Sequence, residues 1–400
     1  MANTILTATA VTREALRVLH QKLTFVGSVT RDYDDRYAQT GAKIGDTLKV
    51  RLPNQYIVRS GATMQAQTTA ETSVDLVVNQ QKGVDLEFTD KELALSLDDF
   101  SDRILDPAMS ALAANIEADA LSMYKDISQQ VNNHGSAASF GKVLLGRKAL
   151  VDALAPTNDR SVVLNTQDNV DMVDSLKALF NDDTTISKQN REGMLGRTAG
   201  FDFMENTLIP THTRGSADAN YTTDTRTSAL ATDGTSYSSI TVASGTGTIK
   251  QGDVFTIANV YRVHPETKLS TGALRQFVCT SDYGGGAGSV SISPAIVLGG
   301  GRQNSIILTT SATAGLTFAG TASTAHGISL AFQKGAFAFA TADLVVPKGV
   351  DMAAREVFDG ISMRFVRGFD MINGVFLSRL DVLYGYKTLR PQLAVRLANN

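Results

Sequence analysis

Residues 48–58 alternate with a period of two: Leu48, Val50, Leu52, Asn54, Tyr56 and Val58 take the even positions, Lys49, Arg51, Pro53 and Gln55 the odd ones. The alternation resumes over 74–88. There Val74, Leu76, Val78, Val84, Leu86 and Phe88 fall on one side, and Asp75, Asn79, Gln81, Asp85 and Glu87 on the other. That period is the signature of a strand with one buried face. The two runs, separated by the polar stretch SGATMQAQTTAE (60–71), predict a long antiparallel hairpin with a flexible tip. At ~3.3 Å per residue each arm would reach roughly 35–40 Å. A two-stranded ribbon of that length is marginal in water and its open edges invite pairing, so it must lie on its own domain or on a neighbouring subunit.

Elsewhere the period lengthens. Residues 11–20 predict a short helix with Val11, Leu16, Val18 and Leu19 on its apolar side, and the polar, turn-rich 27–46 an extended arm. Asp106 as N-cap and Pro107 at the first helical position open the clearest helix. Met109, Leu112, Ala113, Ile116, Ala120, Met123, Tyr124 and Ile127 then form one stripe. Continued to Val131, that helix would be about 37 Å long. An α/β stretch follows: a helix in VLLGRKALVDALA ending at Pro156, a buried strand SVVLN (161–165), a helix capped by Thr166, and strands with a tight turn in LGRTAGFDFMENTLIP (195–210).

Composition shifts after residue 215. Residues 216–320 hold 14 of the 33 glycines. Their apolar runs are short and alternating: SSITVAS (238–244), DVFTIANV (253–260), LRQFVCT (274–280) and SVSISPAIVL (289–298). Such spacing predicts an inserted all-β domain of the small barrel or sandwich kind; 215–237 alone also reads as a Gly/Ser-rich linker. Beyond it, SLAFQKGAFAFATADL (329–344) supplies core through Leu330, Phe332, Phe337 and Phe339. The tail is strand-rich, with ISMRFVRG (361–368), a run in which Ile372, Phe376, Leu380, Val382 and Tyr384 share a face, and LAVRL.

The 400 residues carry 37 basic and 40 acidic side chains, a net charge of −3, which argues against strong nucleic-acid or membrane binding. No run of 18 apolar residues predicts a membrane span, and the N-terminus lacks the pattern of a secretory signal. A single cysteine, Cys279, excludes an internal disulfide and a multi-cysteine zinc site, and favours a reducing compartment. The glycine-rich GGGAGS (284–289) lies between strands and lacks the third glycine of a dinucleotide fingerprint. Gly135 and Gly141-Lys142 stand one residue too far apart for a phosphate loop, and Val143 replaces its Ser or Thr. Ser122 and Lys125 make S-x-x-K without the accompanying signatures of a serine–lysine nucleophile. The five histidines (His20, His134, His212, His264, His326) are scattered, read as surface or loop residues, and offer no helical metal spacing. The carboxylate clusters Asp32/Asp34/Asp35 and Asp98/Asp99/Asp102 read as turn and cap residues rather than acid–base pairs. The expectation is no enzyme, no cofactor and no metal, but a chain whose extended parts touch other subunits.

In their order, the arm, the hairpin (48–88), the long helix (107–131), VVLNTQDNVDMVDSLK with GRTAGFDFMENTLIP, SLAFQKGAFAFATADL, and the tail RLDVLYGYKTLRPQLAVRL resemble the major capsid (coat) proteins of tailed bacteriophages, with the Hong Kong 97 type fold. ITVASGTGTIKQGDVFTIANV (240–260) is similar to the start of the β-barrel inserted in short-tailed-phage coat proteins. The resemblance implies an α+β fold divided into an N-terminal arm (1–46), an extended hairpin loop (47–89), a spine helix and peripheral domain with the start of the axial domain (90–215), an inserted β-rich domain (216–326), and an axial domain with C-terminal strands (327–400). It implies a shell subunit, located in the virion and assembled in the host cytoplasm. Other copies of itself in pentamers and hexamers would be its partners. A scaffolding protein, a portal, double-stranded DNA contacted non-specifically and a decoration protein would join them. Lys49, Arg51 and Arg59 on one hairpin arm, with Asp75, Asp85 and Glu87 on the other, would set register at the subunit interface. The alternative is a tail or adhesion protein that binds a ligand through the β-rich segment.

Overall fold

The computed structural model describes residues 8–31, 47–64, 66–67, 71–88, 101–176, 196–224, 230–308, 313–371 and 375–399. It divides into two compact units: Met1–Val50, Ser73–Leu121 and Phe337–Leu389 in the first, and Arg51–Thr72, Ser122–Ala336 and Arg390–Asn400 in the second.

The first unit is built on one antiparallel sheet. Its longest strand, β21 (Val375–Thr388), has β3 (Gln80–Phe88) along one edge. Along the other edge β20 (Ile361–Asp370) and β18 (Phe337–Ala342) follow one another, and β19 (Met352–Phe358) pairs outside β20. Helix α1 (Ala8–Lys22) buries Val11, Leu16, Val18 and Leu19 and packs on β19 and on α3 (Asp106–Leu121). The buried carboxylate of Glu117 on α3 accepts from the backbone N–H groups of Phe25 and Val26, 3.2 Å each, which caps the short helix α2 (Phe25–Ser28). The ribbon strands β1 (Thr47–Leu52) and β2 (Thr72–Val77) pair with each other. Leu76 and Val78 are buried with Ala338, Ala340 and Leu383, and Leu48, Val50 and Val74 pack against them. A side chain at Gly385 would meet the Val77 carbonyl at 2.3 Å, so only glycine lets the ribbon base come this close to β21.

In the second unit a six-stranded mixed sheet runs β4 (Gln130–Asn132), β22 (Ala394–Ala398), β17 (Ile328–Gln333), β5 (Arg160–Leu164), β7 (Phe201–Glu205), β6 (Arg197–Thr198). Helix α4 (Phe140–Asp152) covers one face, with Gly146 against Leu397 and Ala331. Helix α5 (Thr166–Leu176) follows β5. The second element of this unit is all-β. Strands β10 (Ser236–Ser244), β11 (Val254–Val263), β12 (Ser270–Cys279) and β13 (Gly288–Val297) pair antiparallel in the order β11-β12-β13-β10. β9 (Thr222–Thr223) joins β10, while β14 (Ser305–Ile307) and β15 (Leu316–Phe318) join β11. β15 also meets β9: Thr223 N–H donates to Ala314 O at 2.8 Å and Leu316 N–H to Tyr221 O at 2.9 Å. The strands thus close into a small barrel, filled by Tyr221, Ile240, Phe255, Ile257, Phe277, Val290 and Ile292.

Three expectations are corrected. The second hairpin arm is not one strand. Its alternation keeps phase through Val78, but beyond it the long edge of β21 captures residues 80–88, and only 47–52 and 72–77 pair as a ribbon, with arms of about 20 Å. The long helix begins earlier and ends sooner. Residues 101–105 are already helical, so Asp106 is not a cap; its carboxylate meets Lys22 Nζ at 3.4 Å. At the other end the helix tightens to a 3₁₀ turn over Ser122–Asp126, and residues 130–132 leave it to pair with β22. Asn165, not Thr166, caps α5: its Oδ1 accepts from Asp168 N–H at 2.7 Å. SLAFQKGAFAFATADL does bury Leu330, Phe332, Phe337 and Phe339, and it does so as two strands in two sheets, β17 and β18, separated by a 3₁₀ turn at Lys334–Ala336. The arm over 32–46, the Asp32/Asp34/Asp35 cluster, Asp98, Asp99, the side chain of Asp102, and Ile372 lie outside the described residues.

Candidate subunit interface

All six charged residues singled out on the ribbon are exposed. Two of them form ion pairs within the chain. Arg51 pairs with Glu71 at 2.9 Å, across the arms of the ribbon, and Asp85 on β3 meets Arg379 Nε on β21 at 3.2 Å. Arg59 donates to the backbone carbonyl of Gly61 and stiffens the bend there. Lys49 and Asp75 project from the exposed faces of β1 and β2, and Glu87 from β3. The ribbon residues and the β3 residues therefore belong to separate sheets, and no single hairpin face carries all six.

The alternation had a further consequence. Leu76 and Val78 are committed to the core at the ribbon base, whereas apolar side chains nearer the tip are left exposed. Tyr56 is 55% exposed, Val58 89% and Met64 82%. Backbone hydrogen bonds here are replaced in part by a side chain: the Gln67 amide donates to Ile57 O and accepts from Ile57 N–H, 2.5 and 2.9 Å. This holds the two arms together without a regular ladder. Several large apolar side chains exposed along one loop are the signature of a contact surface.

A second group of polar side chains lies in the second unit, where the chain passes into and out of the barrel. The incoming strand β8 (His212–Thr213) pairs antiparallel with the outgoing strand β16 (Ala325–His326), in the register Thr213↔Ala325 and His212↔His326. The rings of His212 and His326 are 5.5 Å apart, and those of His134 and His326 4.3 Å, edge to face. His212 Nε2 bonds Asp253 Oδ1 at 2.8 Å, and the Tyr124 hydroxyl meets His212 Nδ1 at 3.2 Å. Asp253 Oδ2 accepts from the backbone N–H groups of Gly215 and Lys250, 3.0 and 2.9 Å. From β22 comes Arg396, fully buried, its guanidinium 5.9 Å from the Tyr124 ring; it projects from the face opposite Leu397. Arg214 donates to Gly320 O and to Ala217 O, the latter at 2.6 Å. The Gln276 side chain on β12 accepts from Gln130 N–H and donates to Gln130 O, 2.9 Å each, closing the free edge of β4. Burial pushes His326 down to about 3, with His134, His212 and Arg396 acting in the same direction; His134 is lowered by burial and by Arg214.

This corrects the expectation that the histidines are scattered surface residues: three of the five converge in one buried neck. One sequence feature pointed there, since His212 and His326 flank the compositional shift. Among the described residues no group of three or more His, Cys, Asp or Glu side chains is placed to hold a metal ion. Ser122 and Lys125 lie in the 3₁₀ turn beside the neck, with the Lys125 stem against Gly252. Cys279 is buried in the barrel, its thiol donating to Ser281 O at 2.9 Å and pushed up to about 11 by burial. No helix among the described residues is long and apolar enough to cross a membrane.

The sequence matches the family described as "P22 coat protein - gene protein 5" over residues 3–398. Similar solved structures include that of Mycobacterium phage Che8, 14% identical, covering 94% of this chain and 90% of that one, with a TM-score of 0.46. The capsid of cyanophage P-SCSP1u is 9% identical, with coverage of 90% and 84% and a TM-score of 0.42. The asymmetric unit of the bacteriophage PhiM1 mature capsid is 10% identical, with coverage of 88% and 82% and a TM-score of 0.41. No curated protein sequence matches the chain. Assignment rests on the family match, which spans nearly every residue and sets aside the tail or adhesion alternative. The chain belongs to the P22 coat protein family: it is a major capsid protein, a structural subunit of the virion that assembles with copies of itself into an icosahedral shell.

Proposed function

We propose that the ribbon tip is the part of this subunit that reaches a sister copy, and that the shell closes through rings of five and six joined edge to edge. The observation that supports the reading is the contrast along one ribbon: a base buried on its own sheet, and a tip that presents Tyr56, Ile57, Val58 and Met64 to solvent. Heterologous contacts that close into rings need a projecting element on one subunit and a receiving surface on the next. Lys49, Arg51, Arg59, Asp75, Asp85 and Glu87 steer this docking more than they strengthen it, because exposed charges act chiefly on encounter and register. The segment 216–326 serves as an inserted domain with its own core. During assembly in the host cytoplasm the subunits engage a scaffolding protein and a portal, and the finished shell encloses double-stranded DNA that it touches non-specifically; a decoration protein adds to the outside. A net charge of −3 suits that role, since tight phosphate binding would oppose filling and release. The reading gives the chain no catalytic step.

Replacing Val58 and Met64 together by Asp tests it. Both are exposed, so the change in monomer stability is expected to stay within about 0.5 kcal/mol. Shell yield, read by sedimentation and negative-stain microscopy, is expected to fall at least tenfold. Shells formed at the wild-type yield would remove the tip from the interface.

A further inference from the structure

Two features of the neck stand out together. It is the junction through which the chain enters and leaves the barrel, and it is polar where the barrel interior is apolar. The groups around the His134–His326 pair come from several elements: His212, Asp253 before β11 and Arg396 on β22 act on His326, Arg214 after β8 acts on His134, and from the 3₁₀ turn Tyr124 meets His212 and Asp126 acts on Arg396. Carboxylates are scarce. Asp253 is already engaged by His212 and by two backbone N–H groups, and among the described residues neither Arg214 nor Arg396 forms an ion pair with a carboxylate. With both arginines charged, a proton added to the His134–His326 pair sets a further positive charge in a buried space that already holds two.

We propose that the neck is an acid-sensitive clasp: protonation of the His134–His326 pair opens the β8–β16 junction and loosens the barrel from the six-stranded sheet, while the barrel itself stays folded. The physical basis is differential proton binding. In the closed neck these imidazoles are held neutral, whereas in the open neck they regain the ordinary histidine affinity near pH 6.5. The open state therefore binds the extra protons. Closure is fully favoured above about pH 6.5, weakens as the pH falls, and for His326 goes on weakening to about pH 3. Each histidine that titrates in this way multiplies the opening equilibrium about tenfold per pH unit over its window. The barrel has no histidine in its apolar core, which consists of residues drawn from 217–318, so the same protons leave it intact.

The experiment is amide hydrogen exchange on the full-length chain between pH 7.5 and 4.5, corrected for the intrinsic pH dependence of exchange. Peptides covering 122–134, 210–216 and 322–328 are expected to lose protection about tenfold or more per pH unit below 6.5, while 254–263 and 288–297 hold theirs. In the double variant His134→Gln, His326→Gln the pH dependence of the neck is expected to vanish. Neck protection that stays flat over this range overturns the proposal, as does a loss that coincides with that of the barrel. A pH dependence that survives in the double variant overturns it as well. Should the double variant fail to fold, the wild-type profile decides alone, because neck-only loss and barrel-coincident loss are distinct results.

Discussion

The barrel and its neck belong to the same unit and are built by opposite means. The barrel is a ring of strands from one continuous stretch, 222–318, closed on Phe255, Phe277, Tyr221 and their aliphatic neighbours. The neck gathers side chains from segments as distant as Tyr124 and Arg396, and holds them by directed hydrogen bonds around three imidazoles. An apolar core gives stability that hardly depends on pH, since nothing in it titrates near neutrality. A buried polar cluster is stable only in one protonation state. The lesson is that one unit can combine a rigid insertion with a junction that responds to its surroundings, provided the two are packed from different chemistry.

The largest expected effect probes the barrel. Phe277→Ala removes a fully buried ring from its centre and is expected to cost about 3–5 kcal/mol. The loss should be the same at pH 6 and pH 8 by denaturant unfolding. A cost that varied between those values would break the distinction between the two regions. Next comes a titratable group within the barrel core, Cys279. Its thiol is held protonated by burial, with a folded value near 11 against an ordinary value near 9. An acid whose folded value is raised contributes stability that is fully present below pH 9 and lost as the pH climbs towards 11. Wild type and Cys279→Ala should therefore differ by a constant amount up to pH 9. Above it that difference should shrink, by about 1–3 kcal/mol in all. The barrel then has an alkaline limit and the neck an acid one.

Legibility in the sequence follows the same division. Strands β10 to β13 could be read because each holds a short apolar run set between turn residues, and three of those runs alternate locally, at Ile240 and Val242, Phe255 and Ile257, and Val290 and Ile292. The ribbon base and α1 were legible for similar reasons. By contrast, β8 and β16 are two residues long, too short for any period, and are strands only because they meet each other. β19, MAAREVF, lacks clear alternation because its burial depends on α1 packing over it. The split of 329–344 between two sheets was hidden by uniform burial: every residue of β17 but the last, and all of β18, are buried, so the pattern carries no face. Lys49, Arg51, Arg59, Asp75, Asp85 and Glu87 could be named as exposed polar positions. Their division between the ribbon and β3 could not, since β21 lies almost three hundred residues further on.

The smallest effects give the sharpest comparison, because the same chemical change can be made in both regions. Tyr221 in the barrel donates its hydroxyl proton to Gly247 O at 2.6 Å, and Tyr124 in the neck is 3.2 Å from His212 Nδ1. Replacing either by Phe keeps the ring and removes one hydrogen bond, at a cost of about 0.5–1.5 kcal/mol. The two losses should appear in different places. In native-state hydrogen exchange Tyr221→Phe should lower the protection of barrel amides in 254–263 and 288–297, since opening that core is the event it makes easier. Tyr124→Phe should lower only the amides around 122–134, 210–216 and 322–328. If Tyr124→Phe depressed the barrel amides as much as its own, neck and barrel would open as one cooperative body, and a junction that yields while the insertion holds would have no physical basis.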